Sequence, residues 1–494
     1  MSPSGWRCGV AAGVVVAGHV VAGHVVAGLV AAGLLTGCVV GNDYARPAID
    51  LPEKFRFDDT EARDLANTRW WEQFEDPVLN ELIGSALANN LDVRIAAARV
   101  EEFYGALGVT RSGLFPQVSA DTVAGRERLP SASASDRFQV DVFAAWEIDV
   151  FGRLRNLTDA ARSDLLASEE GRRFAVLSLI SAVAGGYVAL RTLDSQLDIA
   201  RRTLTSREEA LRIFEARHRR GAISEIELSQ ARSEYATALA TIPRLEQQQA
   251  QAENSLAVIL GRNPEPIPRA RTIEELVLPA VPTGLPSEIL ERRPDLRQAE
   301  LNLVAANTRI GAAKALYFPS ISLTGLFGTA SDAIDSLFTG PAELWSYAGT
   351  VTAPIFTAGG IKGQVRVAEA RQQQVLFAYQ RAIQVAFQEV DDALIAGQKS
   401  REELTAQALR LDALRTYARL AHLRFDNGYS SYLEVLDAER GLFSAELDYT
   451  RVKSDTYFAL IDLYKAMGGG WVIEASAMAP QPRVSLSTDP RPFP

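Results

Sequence analysis

The sequence predicts a mixed, mainly α-helical chain made of two tandem copies of one unit, each with a β-hairpin set between helices. Three observations carry this. Residues 424–440 (RFDNGYSSYLEVLDAER) have a partner in residues 217–232 (RHRRGAISEIELSQAR): Arg217 aligns with Arg424, 207 residues on, together with Gly221 and Gly428, Ser224 and Ser431, Glu227 and Glu434, and Ala231 and Ala438. Earlier positions repeat at a spacing of 203, pairing Asp92 with Asp295, Arg94 with Arg297, Phe115-Pro116 with Phe318-Pro319 and Gly125 with Gly328. In each copy the apolar period also switches from helical three-and-four steps to strict alternation and back.

Composition narrows the function classes. The 494 residues, 47% hydrophobic, are enough for a large core, and a net charge of −10 leaves no basic footprint for nucleic acid. The two cysteines, Cys8 and Cys38, both lie in the first forty residues, so the body of the chain has neither a disulfide nor a thiol metal site. His19, His24, His218 and His422 show no ligand spacing. There is no phosphate loop, no H-E-x-x-H and no G-x-S-x-G elbow, and carboxylates such as Asp391-Asp392 read as solvated helix faces. No enzyme, metal or cofactor is expected.

Taken in order, the chain opens with an apolar run over residues 9–37, built on a V-V-A-G-H pentad behind Arg7. On length it fits a transmembrane helix, and on flanks a secretory leader. Leu35-Thr36-Gly37-Cys38 resembles the lipobox of bacterial lipoproteins. That resemblance implies cleavage before Cys38, which would then carry S-diacylglycerol and N-palmitoyl groups. Cys8 follows Ser4-Gly5-Trp6-Arg7 and does not fit. Val39 stands after Cys38 where an aspartate would be the inner-membrane retention signal of such lipoproteins, so the resemblance points to the outer membrane.

Helices are expected over 76–113 and 286–315, ended by Phe115-Pro116 and Phe318-Pro319 because proline forces the preceding residue out of helix. Beyond them Phe138, Val140, Val142, Ala144, Trp146 and Ile148 alternate with Gln139, Asp141, Phe143, Ala145, Glu147 and Asp149. Val118 to Ala124, Ile321 to Phe327 and Trp345 to Ala353 alternate likewise, giving one hairpin per copy with polar loops near 126–136 and 329–343. An apolar face with Phe138, Trp146, Trp345 and Tyr347 against a polar one suits a barrel wall between lipid and water. Four strands cannot close a barrel, so several chains must pool theirs.

Strand-to-helix turns follow at Phe151-Gly152 and Phe356-Thr357-Ala358-Gly359-Gly360. The helices after them, 153–217 and 361–424, run to roughly 90–100 Å at 1.5 Å per residue. Their seams are Val176, Ile180, Val183, Tyr187, Leu190 and Leu376, Tyr379, Ile383, Ala386, Val390, Ala393. Each ends in a tip where Gly221 or Gly428 takes positive φ, and Ser224 with Glu227, or Ser431 with Glu434, forms a capping box. The return helix 432–467 has two apolar stripes, one through Leu436, Phe443, Leu447, Tyr457 and Ile461, the other through Leu442, Ala445, Tyr449, Val452, Ala459 and Leu463. A stave touching a neighbour on each side needs two. Its counterpart, 224–260, holds Pro243, a local kink. Six prolines between 263 and 286 mark the join of the copies, and 475–494 reads as a mobile tail.

Val40-Gly41-Asn42-Asp43-Tyr44-Ala45-Arg46-Pro47 and Trp70-Trp71-Glu72-Gln73-Phe74-Glu75-Asp76-Pro77-Val78-Leu79, taken with the lipobox, resemble the start of the outer-membrane factors of tripartite efflux pumps. These are the TolC-like lipoproteins of the OprM and NodT type, which usually carry proline where Asn42 stands. The resemblance runs from Cys38 to about Trp471. It implies a homotrimeric α-barrel of long helical hairpins, continuous with a shared 12-stranded transmembrane β-barrel, four strands per protomer. It divides the chain into a signal peptide (1–37), a lipid anchor and N-terminal collar segment (38–75), a first repeat (76–262), a proline-rich linker in the collar (263–285), a second repeat (286–470) and a tail (471–494). The implied function is a passive outer-membrane exit duct with a long periplasmic extension, opened by an inner-membrane pump and its periplasmic adaptor, with no cofactor beyond the lipid. A free-standing porin or a structural periplasm-spanning lipoprotein is the rival class. The resemblance places a periplasmic gate at Leu433 and Asp437, whose first-copy equivalents are Ile226 and Gln230. Residues i and i+4 share a helix face, so around a threefold axis they would form an apolar and an acidic ring. Arg424 and Arg440 are the expected partners of Asp437. Gly221, Ser224, Gly428 and Ser431 mark the tips expected to meet the adaptor.

Overall fold

A computed structural model describes residues 39–41, 43–48, 54–57, 68–128, 130, 133–279, 281 and 286–483. The leader, Cys38, Asn42 and the end of the tail lie outside the described residues. The chain forms two compact units, one of residues 1–48, 101–168 and 299–379, the other of residues 49–100, 169–298 and 380–494.

After a 3-10 turn at Trp70–Phe74 come α1 (Pro77–Asn89), α2 (Leu91–Ser112), β1 (Gln117–Glu127), β2 (Ser135–Ile148), α3 (Arg153–Arg219) and α4 (Glu225–Ile259). The same order recurs as α5 (Pro286–Arg292), α6 (Pro294–Ala315), β3 (Ser320–Ser331), β4 (Glu343–Thr352), α7 (Gly360–Asp426) and α8 (Tyr432–Met467), closed by α9 (Trp471–Met478). The helices expected as continuous over 76–113 and 286–315 are each broken, at Asn90 and Arg293, which are equivalent positions of the two copies. Asn90 leaves the helical region because its side chain works better as a cap: Oδ1 accepts from the Val93 N–H at 3.0 Å and Nδ2 donates to the Ile259 carbonyl at 2.8 Å. At the second break Pro294 excludes helix from Arg293. The buried Arg293 guanidinium bonds Asp295, Glu389 and the Ala466 carbonyl.

In the first unit the four strands form one antiparallel sheet in sequence order, and β2 pairs with β3, so the central ladder joins the two copies. The register puts Val118, Ala144, Gly325 and Tyr347 in one row, and Ala120, Val142, Phe327 and Trp345 in the next. Because side chains alternate across a strand, these rows share one face. Val118, Val142, Trp146, Phe327, Trp345 and Tyr347 are exposed on it. The opposite face carries Asp121, Arg137, Gln139, Asp141, Glu147, Ser322 and Thr324, as the alternation predicts. Gly152 and Gly359 take φ of 76° and 85° at the strand-to-helix turns, joined by Ala358 at 48°.

In the second unit both seams are packed: Val176, Ile180, Val183, Tyr187 and Leu190 are fully buried, as are Ile383, Ala386 and Val390. By length and composition α3 is apolar enough to cross a membrane, but those apolar residues face protein. Both stripes of α8 are buried or half-buried. Trp70 stacks on Tyr464, with ring centroids 5.1 Å apart, and burial pushes the Tyr457 and Tyr464 hydroxyls up to about 12. Asp76 caps α1 through Val78 and Leu79, and its second oxygen accepts from the Tyr187 hydroxyl and the Arg271 N–H. The C-terminal stretch departs from the mobile tail expected over 475–494. Trp471, Val472, Ala475 and Ala479 are buried, and Arg172 holds Ser476 at 2.7 Å, so the chain packs at least to Gln481.

Candidate functional site

The two hairpin tips lie together in the second unit. At the first, Gly221 has φ 67°, its N–H donates to the His218 carbonyl, and the Ala222 N–H reaches back to Arg217 at 2.9 Å. At the second, Gly428 has φ 77° and donates to Phe425, and Tyr429 reaches back to Arg424 at 2.8 Å. Both are helix ends in which a left-handed glycine lets the last carbonyls be satisfied. Beyond the turns the copies diverge. The Ser224 hydroxyl accepts from the Glu227 N–H at 3.3 Å, and the Glu227 carboxylate accepts from the Ser224 N–H at 2.8 Å, closing the expected capping box. Ser431 starts α8 without a side-chain cap bond. The expected second box is not formed, because the Glu434 carboxylate is drawn 3.1 Å from Arg424 across the turn.

The tips share one apolar core of Phe214, Leu228, Ala231, Ala418, Ala421, Tyr432, Val435, Leu436 and Ala438. The Tyr432 ring centroid sits 4.0 Å from that of Phe214, and burial, with a contribution from Glu439, raises its hydroxyl pKa. Above this core Glu234 on α4 joins the hairpins. Arg207 on α3 reaches its carboxylate at 3.0 Å and its carbonyl at 2.8 Å, while Arg440 on α8 reaches the other carboxylate oxygen through Nε at 3.0 Å and Nη2 at 2.5 Å. Arg207 and Glu234 are 3% and 7% exposed. The bond to Glu234 raises the Arg440 pKa.

These contacts decide where the expected gate residues stand. Leu433 is 57% exposed and its first-copy equivalent Ile226 71%, whereas their neighbours Tyr432, Val435 and Leu436 are buried. Asp437 lies one turn beyond Leu433 on an exposed face, with the Tyr417 hydroxyl 3.5 Å away. Arg440 and Arg424, expected to hold Asp437, are engaged instead by Glu234 and Glu434. Sequence reasoning missed Glu234 and Arg207, because a charged residue on an amphipathic helix reads as solvated and nothing local marks these two as buried. His218 and His422 pair with Glu225 at 3.1 Å and Glu439 at 2.7 Å. Among the described residues no group of His, Cys, Asp and Glu is arranged to hold a metal.

A second candidate site lies at the sheet end of the first unit. The Val40 N–H donates to the Phe151 carbonyl at 3.2 Å, and the Val40 carbonyl accepts from the Asn156 side chain at 2.9 Å. Val39 lies against Gly152, where an added Cβ would come 2.9 Å from a Val39 methyl, and Gly311 leaves room for the Val40 carbonyl. Farther on, Arg46 forks onto Glu300 at 2.6 and 2.5 Å. The segment after Cys38 is thus fixed where β2 passes into α3.

Comparison with known proteins agrees with this architecture. The family described as outer membrane efflux protein matches residues 82–262 and again 285–469. The toluene efflux pump outer membrane protein TtgF of Pseudomonas putida is 37% identical over 456 residues, covering 88% of this chain and 95% of the relative. The cation efflux system protein CusC of Escherichia coli is 37% identical over 450 residues, covering 88% and 96%. The open state of the MtrE outer membrane channel of Neisseria gonorrhoeae superposes with a TM-score of 0.81 at 34% identity, covering 88% of this chain and 99% of that one.

Proposed function

The chain belongs to the outer membrane efflux protein family, and from that premise we propose how its parts divide the work of an exit duct serving an inner-membrane pump. The observation that carries this reading is the two-faced sheet. Its strands of 11, 14, 12 and 10 residues all reach the 9–11 or so that a tilted strand needs to cross a bilayer. It carries exposed aromatics on one face, polar groups on the other, and β1 and β4 as edges. In lipid an open edge leaves backbone groups unsatisfied, so the edges must be closed by other copies. Three chains of four strands give the twelve-stranded barrel of a homotrimer.

The remaining parts follow from that assembly. Cys38 carries the acyl anchor, supported by the fixing of Val39 and Val40 at the end of the sheet, where the lipid boundary falls. Residues 76–262 and 286–470 act as paired repeats, with 263–285 and the segment before residue 76 as a collar. The tips, marked by Gly221, Ser224, Gly428 and Ser431, meet the periplasmic adaptor. Leu433 and Asp437 form the gate, supported by an exposed leucine and an exposed aspartate one turn apart, directly beyond the tip core. Arg424 and Arg440 act at one remove, by holding the hairpins rather than Asp437. Selection of cargo rests with the pump, since relatives named for toluene and for cations match this chain equally well.

Planar-bilayer recording tests the gate. The isolated protein should show a small, cation-preferring conductance, because convergent carboxylates raise the local cation concentration. Asp437→Ala should reduce the preference and Leu433→Ala should raise the conductance. If neither variant changes either quantity, the gate lies elsewhere. For the anchor, palmitate label should be lost from Cys38→Ser, and label persisting on that protein would remove the lipid claim.

A further inference from the structure

The first unit holds a recess of about 1030 Å3 between the start of α3, α6 and the start of α7, at the upper end of the sizes that small-molecule sites occupy. Its lining combines apolar and small side chains, among them Leu157, Ala306 and Val367, with Arg153, Arg309 and Arg371. Arg153 forks onto Glu147 at 2.8 and 2.7 Å, and Arg309 pairs with Asp164. Arg371 is exposed and makes no hydrogen bond or ion pair among the described residues. With Arg153 and Arg309 compensated by Glu147 and Asp164, Arg371 leaves the recess one net positive charge.

Two observations fix which side of the wall it occupies. The N-terminal segment lies on the side of α6 that carries Glu300 and Gly311, whereas the recess uses Asn302, Ala306, Arg309 and Ala313, which the helical repeat puts on the other side. Glu147, the partner of Arg153, belongs to the polar face of the sheet, away from Trp345 and Tyr347. The recess therefore opens on the side that faces water inside a closed barrel.

We infer that this recess is a transit site for small amphiphilic anions, such as aryl sulfonates or carboxylates, whose apolar body lies against Leu157 and Val367 while the acid group meets Arg371. The inference rests on the duct reading, because it places the site on the conducting side. It gives a passive wall one point where cargo of a given charge pauses.

The test uses the full trimer in nanodiscs of zwitterionic phosphatidylcholine, so that no anionic lipid competes, with 8-anilinonaphthalene-1-sulfonate as probe and ethidium as its cationic counterpart. Arg371→Gln removes the unpaired charge. Gly363→Trp fills the recess from α7, where an added Cβ has no atom within 4 Å. Saturable sulfonate binding is expected, weakened about tenfold by either variant, as loss of a charge-assisted contact or of the cavity predicts, while ethidium binds no better to wild type than to the variants. Sulfonate binding that does not saturate, that neither variant weakens, or that ethidium matches overturns the site. Conductance of the same preparations separates the two readings: saturable binding by a protein that does not conduct sinks the duct, and conduction without binding sinks the recess.

Discussion

The two tips share a backbone and differ in what their glutamates do. In the first, Glu227 turns back to Ser224 and finishes its own helix. In the second, the equivalent Glu434 faces Arg424 on the preceding helix, and Ser431 is left without its partner. One copy uses the acid to start a helix and the other uses it to tie two helices together. A duplicated motif thus keeps its turn, fixed by a glycine at positive φ, while its side-chain bonds are reassigned. The second tip carries Leu433 and Asp437, so the reassigned bond lies beside the residues proposed as the gate.

The sharpest way to break this comparison is through Glu234, which joins the two tips. Glu234→Ala strands the buried Arg207, and loss of one partner of a buried pair costs about 3–5 kcal/mol. Hydrogen exchange should report that loss in the amides of both tips. Protection unchanged in the second tip would show that the hairpins are independent. Arg440→Ala removes the largely exposed arm of the same bridge and should cost less than about 1 kcal/mol.

A smaller effect separates the caps. Ser224→Ala should cost about 1 kcal/mol at the start of α4, in line with other serine caps, whereas Ser431→Ala should fall within a few tenths at the start of α8. Equal costs would remove the distinction. Arg424→Ala sharpens it further, since the released Glu434 can return to the Ser431 N–H. In that background Ser431→Ala should become more costly by about 0.5 kcal/mol, measured as a double-mutant cycle.

The smallest effect is a control for acid titration of either tip. Glu170 on α3 lies away from both, and burial raises its carboxyl above the usual 4.5 although Arg173 and Arg297 oppose the shift. The folded protein then holds this proton more tightly than the unfolded chain. Its contribution to stability is fully present below about pH 4.5 and lost as the pH rises through the folded value. Glu170→Gln should flatten that part of the profile of thermal unfolding against pH. An unchanged profile would assign the acid dependence to other groups.

Much of the fold was legible because periodicity reports burial. The alternation around Phe138 and Trp146, the seams through Val176 and Tyr379, and the turns at Gly221 and Gly428 all stand where spacing predicted them. The misses have a common cause. Asn90 caps its own next turn through Val93 and Pro294 marks the second break, but the bonds that hold Asn90 to Ile259 and Arg293 to Glu389 and Ala466 are long-range and no local pattern encodes them. Ser431 carries the same local signal as Ser224, and only Arg424, close in space across a turn, decides between them. Glu234 is a buried acid on a helix whose other acids are exposed or half-buried, and its partners lie on two other helices. Leu433 and Asp437 remain assignments by resemblance and by i, i+4 spacing.

The pairing of β2 with β3 sets the order in which the molecule can be made. Ile148 meets Ile321 across the central ladder, and between them in the chain stand the whole first helical hairpin and the proline-rich join. Helices and the two outer hairpins form from neighbours in sequence, but this ladder must wait for the second copy to be delivered and for a very long loop to close. Contacts of that range slow folding, and until they form β2 and β3 are apolar strands with bare edges in an aqueous compartment. Such a chain depends on being shielded between export and insertion. Substitutions in the middle of the sheet should therefore show first as low yield of assembled protein, before any change in the conductance of the molecules that do assemble.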